Sequence, residues 1–89
     1  MKLHQLKKFD RAARHLNVTR AAPELHMSQP AVSLQLKRLE QEFEANFYET
    51  SNRGMKLIHQ GRAFLGSIRP LFAEIGRIDA RFRAPNWPR

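Results

Sequence analysis

The chain has 89 residues, 42% hydrophobic and 27% charged, which fits one small folded domain and excludes a disordered segment. Sixteen Lys and Arg against eight Asp and Glu leave a net charge of +8, and a surplus that large on so short a chain favours a polyanionic partner: DNA, RNA or an anionic membrane. The lack of cysteine excludes disulfides, thiolate chemistry and cysteine-based metal sites.

Leu3, Leu6, Phe9, Ala13 and Leu16 recur at spacings of three and four, which predicts an amphipathic helix over residues 3–16. Thr19 is the expected N-cap of a short second helix carrying Ala21, Ala22 and Leu25. Pro23 falls near the fourth position of that helix and should tighten its first turn. His26, Met27 and Ser28 break the pattern. Ser28 is a second cap, and Pro30 stands in the following first turn, where a missing N–H does no harm.

A third helix is predicted from about Gln29 to Glu44. One side aligns Val32, Leu36, Leu39 and Phe43, expected to be buried; the opposite side carries Pro30, Ser33, Leu34, Lys37 and Gln41. Glu40, Glu42 and Glu44 are expected on the solvent side. Phe47 and Tyr48 then lead through Ser51-Asn52-Arg53-Gly54 to Met55 and Leu57, the pattern of a two-stranded hairpin over 47–57. From His59 the helical period returns. Phe64, Ile68, Leu71, Ile75, Ile78 and Phe82 are spaced 4, 3, 4, 3 and 4, the seam of a helix that pairs with another copy. Pro70 should kink this helix, and Pro85 and Pro88 leave a hinge or tail over 83–89.

A short turn between the second and third helices makes a helix-turn-helix over about residues 18–37. The side chains suit base and phosphate contact. Gln29 can make paired hydrogen bonds to adenine, and Ser33 can donate to or accept from either base type. Lys37 and Arg38 can reach phosphates, while Thr19 and Arg20 open a helix whose N-terminus favours an anion. Arg53 at a hairpin tip is placed to probe a narrow minor groove. Taken one at a time, each of these residues is equally at home on a solvated face.

No enzymatic constellation appears: there is no phosphate-cradling glycine loop, no nucleophile beside a base and no clustered carboxylates. His4, His15, His26 and His59 are scattered, so no metal site and no cofactor is expected. Two rivals to duplex recognition remain. One is a dimeric protein-interaction module with an incidental basic surface. The other is a nonspecific architectural or single-strand binder, which would need exposed aromatic rings where this sequence has them mostly at core or seam positions.

The run Thr19-Arg20-Ala21-Ala22, then Leu25-His26-Met27-Ser28-Gln29-Pro30-Ala31-Val32-Ser33, then Leu39-Glu40, resembles the LysR-type transcriptional regulator family. The hairpin with Arg53 and Leu57, followed by Gly61, also matches that family's spacing, and the resemblance covers residues 1 to about 82. It implies an all-α winged helix-turn-helix over 1–58, followed by a linker helix over 59–82 that pairs two copies. A tetramer is left open for a full-length protein. The implied partner is double-stranded promoter DNA, contacted by Gln29, Pro30, Ser33 and the residue at 34 on bases and by Arg53 in the minor groove, with Ser28 also among the DNA-binding residues. Departures from the family pattern are Leu34 where a basic residue is usual, Thr50 where arginine is common, and Ile58 where a threonine usually caps the linker helix. Leu34 could touch a thymine methyl instead. The resemblance further implies a bacterial cytoplasmic regulator, with any small-molecule inducer bound by a C-terminal domain that this stretch does not contain.

Overall fold

The end of each helix in the first half of the chain is written by its caps. The structure, a computed structural model, describes residues 2–86. Helix α1 (Leu3–His15) opens with the Lys2 N–H donating to the Gln5 side-chain oxygen at 3.3 Å. Helix α2 (Val18–Glu24) is capped by Asn17, whose Oδ1 accepts from the Arg20 N–H at 3.0 Å. Thr19 is therefore inside the helix and not its cap, a correction that follows from Asn17 presenting the better-placed acceptor. Pro23 falls in the last turn of α2, not the first. Helix α3 (Gln29–Phe43) begins as its sequence predicts, with Ser28 Oγ accepting from the Ala31 N–H at 3.2 Å and Pro30 in the first turn.

All three helices end alike. Leu16, His26 and Glu44 adopt left-handed backbone at φ 49, 56 and 51°. In each case the next N–H reaches back five residues: Asn17 to Ala12 O, Met27 to Ala22 O and Ala45 to Glu40 O. These are Schellman caps built without glycine. Leu16 consequently leaves the apolar stripe expected of it and is half-exposed.

Helix α1 lies at the centre and packs against α2, α3 and α4. Leu6, Phe9, Val32, Leu36 and Leu39 are at most 2% exposed, and Ala21 and Ala22 let α2 approach closely. Phe43 departs from expectation: it is 41% exposed and borders a ring cluster in which Phe47 stacks on Phe64 at 4.3 Å, with Phe9 edge-on to both. Glu40, expected toward solvent, is buried at 7%.

Strands β1 (Tyr48–Ser51) and β2 (Gly54–Leu57) pair antiparallel, Tyr48 opposite Leu57 and Ser51 opposite Gly54, leaving Asn52 and Arg53 as the loop. An isolated hairpin is marginal in water, and this one is fastened at both ends. The Met55 N–H donates to Leu16 O at 2.9 Å, and the Ile58 N–H donates to Phe47 O at 3.1 Å. Gly54, at φ 112°, passes so close to Leu16 that a Cβ would lie 2.3 Å from its carbonyl oxygen.

Helix α4 (His59–Phe82) is about 36 Å long at the usual rise per residue. Ile58 caps it without a side-chain bond; instead Arg62 donates to the Leu57 carbonyl at 2.9 Å. The helix runs unbroken through Pro70. Its inner stripe is Gly61, Leu65 and Ile68, with Phe72 half-buried beyond them. Buried Asp10 of α1 adds an ionic fastening, with Arg14 at 3.1 Å, Arg11 at 3.7 Å and Arg69 of α4 at 3.8 Å. Past Phe72, residues 73–82 of α4 are all exposed, and the molecule measures 50 × 25 × 20 Å. Of the tail, Trp87, Pro88 and Arg89 lie outside the described residues.

Candidate nucleic-acid interface

The polar face of α3 is solvent-facing because its other face is spent on Val32, Leu36 and Leu39. Gln29, Pro30, Leu34, Lys37 and Arg38 are exposed and Ser33 is half-exposed. Gln29 Nε2 donates to Ser33 Oγ at 2.7 Å, one turn along, which engages the amide nitrogen and leaves the amide oxygen as an acceptor. Leu34 is 49% exposed beside them, an apolar side chain on an otherwise polar surface.

This face does not stand alone. Gln29, Ser33 and Lys37 line one wall of a cleft of about 520 Å³; Val18 of α2 and Tyr48, Glu49 and Thr50 of β1 complete it. The start of α2 and the first strand of the hairpin thus flank the N-terminal half of α3. Thr19 and Arg20 are exposed at the start of α2, but the Arg20 N–H is already taken by Asn17. The helix end therefore offers an incoming anion less than the sequence suggests. Arg53 is exposed at the hairpin tip, outside the cleft, with its own N–H donating to Ser51 Oγ at 3.2 Å. Among the described residues, Arg20, Arg38 and Arg53 make no ion pair with a carboxylate. All three are exposed to solvent.

Two residues in this region escape a reading by composition. Glu40 Oε2 accepts from the Phe47 N–H at 2.7 Å, and its other oxygen lies 4.0 Å from Lys37 Nζ. The signal was there: Glu40 is four residues after Leu36 and three before Phe43, on the buried stripe. Tyr48 is the second. Burial, and then the nearby Glu40 carboxylate, push its phenol above the ordinary value of 10.0, so it is a neutral wall of the cleft.

The six seam positions separate into two groups. Phe64 and Ile68 pack into the chain's own core. Leu71, Ile75, Ile78 and Phe82 are 40–49% exposed on the projecting half of α4. Leu3, Phe72 and Ile75 also line a groove of about 780 Å³ between α1 and α4. Among the described residues there is no cluster able to hold a metal ion, and no helix is long and apolar enough to cross a membrane.

Known proteins are similar to this chain in sequence and in arrangement. The family described as bacterial regulatory helix-turn-helix protein, lysR family, matches residues 3–62. The glycine cleavage system transcriptional activator of Escherichia coli K12 is 37% identical over 82 residues, covering 92% of this chain and 27% of that protein. The RuBisCO operon transcriptional regulator of Allochromatium vinosum is 41% identical over 76 residues, 78% of this chain and 25% of its own length. The chain thus spans about a quarter of the relatives it matches. Among solved structures, the CbnR_DBD-DNA complex superposes with a TM-score of 0.82 at 37% identity, covering 93% of this chain and 95% of that one. The BenM_DBD/catB site 1 DNA complex gives 0.84 at 26% identity, with 90% of each chain covered. With the cap at Ser28, the exposed start of α3, the fastened hairpin and these likenesses together, the chain belongs to the lysR family of bacterial regulatory helix-turn-helix proteins.

Proposed function

We propose that the chain recognises double-stranded promoter DNA as one half of a homodimer. The carrying observation is the juxtaposition of the exposed N-terminal half of α3 with a hairpin ending in an outward arginine. Helix α3 enters the major groove, where Gln29, Pro30, Ser33 and Leu34 meet base edges, with the start of the helix at Ser28 close to the backbone. Lys37, Arg38, Thr19 and Arg20 contact phosphates, supplying most of the affinity and its salt dependence. Arg53 enters the adjoining minor groove, which is most attractive where A·T pairs narrow it. Structures similar to this chain include DNA complexes, which supports the reading.

On this reading residues 1–58 are the winged helix-turn-helix, 59–82 the linker helix and 83–89 the hinge or tail. Leu71, Ile75, Ile78 and Phe82 form the pairing surface, while Phe64 and Ile68 serve the core. The chain acts by binding and not by catalysis, in the bacterial cytoplasm; any inducer acts through a separate domain. The test is selection of bound duplexes from a randomised library at near-physiological salt. A two-fold-related motif, with half-sites about one helical turn apart, is the expected product. Binding without enrichment, vanishing as salt rises, would reduce the site to a basic surface.

A further inference from the structure

We propose that Glu40 is the positioning residue that sets the hairpin against α3 and thereby gives Arg53 its minor-groove selectivity. The inference rests on the proposed reading of Arg53 and adds a residue that touches no DNA.

Glu40 and Phe47 meet at the junction of three elements. Glu40 is on α3, buried at 7%, and its carboxylate accepts the Phe47 N–H at 2.7 Å. Phe47 immediately precedes β1. Its carbonyl accepts the Ile58 N–H at 3.1 Å at the close of β2. That same carbonyl oxygen abuts Gly61 of α4 so closely that a Cβ there would lie 1.8 Å away. One peptide segment is thus gripped by α3 through its N–H and by the start of α4 through its C=O. A charged acceptor in a buried setting makes a short, directional bond that tolerates little displacement. The hairpin's far edge is held by Leu16. Between these anchors Glu40 supplies a side-chain hydrogen bond from α3 itself to the base of β1. That bond is the tie through which α3 itself helps set the hairpin's angle, and hence where Arg53 lies relative to Gln29 and Ser33.

Two conservative variants separate this role from a purely electrostatic one. Glu40→Gln keeps an oxygen at the same reach and removes the charge facing Lys37. Glu40→Asp keeps the charge and draws it back by about 1.5 Å, one carbon–carbon bond, beyond hydrogen-bond distance from Phe47. Each is compared with the unaltered chain in competitive binding to duplexes that share one selected core and differ in A·T or G·C flanks. The Gln variant should keep the flank preference. The Asp variant should lose it by about tenfold, the low end of what one hydrogen bond to a charged group can supply, while preference among core sequences is unchanged. Loss of fold would weaken all duplexes alike, so the split between flank and core reports position. The inference is overturned if the Asp variant keeps the preference, or if both variants lose it, since the acceptor would then not be what matters. A chain that shows core selectivity but no flank preference before any substitution overturns the minor-groove role of Arg53 itself. A chain with no core selectivity overturns the DNA reading.

Discussion

At the scale of single residues the backbone makes two demands that pull in opposite directions. Glu44 ends α3 in left-handed backbone at φ 51°, where an L side chain costs roughly 1–2 kcal/mol and glycine costs nothing comparable. Glu44→Gly should therefore raise stability by about 1 kcal/mol in urea unfolding, and an unchanged midpoint would mean that the glutamate recovers the strain elsewhere. Gly61 is the reverse case. A helical glycine replaced by alanine ordinarily gains about 0.5–1 kcal/mol, but here the new Cβ would meet the Phe47 carbonyl oxygen at 1.8 Å. Overpacking against backbone costs about 1–3 kcal/mol, so the clash wins and Gly61→Ala should destabilise. Gly66, where an added methyl would find no atom within 4 Å, is the control that should follow helix propensity alone. These left-handed ends were illegible in the sequence, because Leu16, His26 and Glu44 occupy positions where glycine is the recognisable mark.

At the scale of elements, what could be read was what rests on period. The spans of α1, α3 and α4 and the hairpin follow from spacing, and their observed bounds differ from expectation by a residue or so. What could not be read depends on which of two neighbours wins a local contact. Asn17 displaces Thr19 as the cap of α2 because its amide oxygen reaches the Arg20 N–H. The seam of α4 shows the same limit: a stripe of apolar residues announces burial without naming the surface that covers it, and the core takes Phe64 and Ile68. The exposed polar face of α3 was legible because Ser28 and Pro30 fix where that helix starts. Glu40 was missed because charge outweighed its place on the stripe. Contacts between elements also carry a pH dependence. Glu24 near the end of α2 meets His15 at 2.7 Å and Arg11 at 3.4 Å, both on α1. The His15 hydrogen bond is the largest influence and holds the Glu24 carboxyl below its ordinary 4.5, aided by Arg11 and opposed by slight burial. A lowered folded value means that the stabilisation is complete above the unfolded value and fades as pH falls through the folded one. The stability difference between the chain and its Glu24→Gln variant should therefore be level just above pH 4.5 and shrink below it. A difference that holds steady as the solution is acidified would remove the carboxylate from this account.

At the scale of the whole molecule the issue is what the projecting half of α4 is for. Leu71, Ile75 and Ile78 stay 40–49% exposed on a helix that leaves the core, and a continuous apolar stripe is costly to keep in water. Their spacing suits pairing with the same stripe of a second copy. Pairing also answers a difficulty of affinity. One exposed helix face and one arginine give a single small half-site, whereas two linked half-sites multiply through effective concentration by about 10²–10⁴. Ile75→Glu places a charge in the middle of that stripe, far from α3 and the hairpin. Sedimentation should find the variant monomeric with its helical circular dichroism retained. Its affinity for a duplex with one half-site should match that of the unaltered chain, and its advantage on a duplex with two should vanish. If the variant remains dimeric, the pairing surface lies elsewhere. If it is monomeric and still prefers the double site, recognition does not depend on pairing through α4, and the exposed stripe must serve another surface.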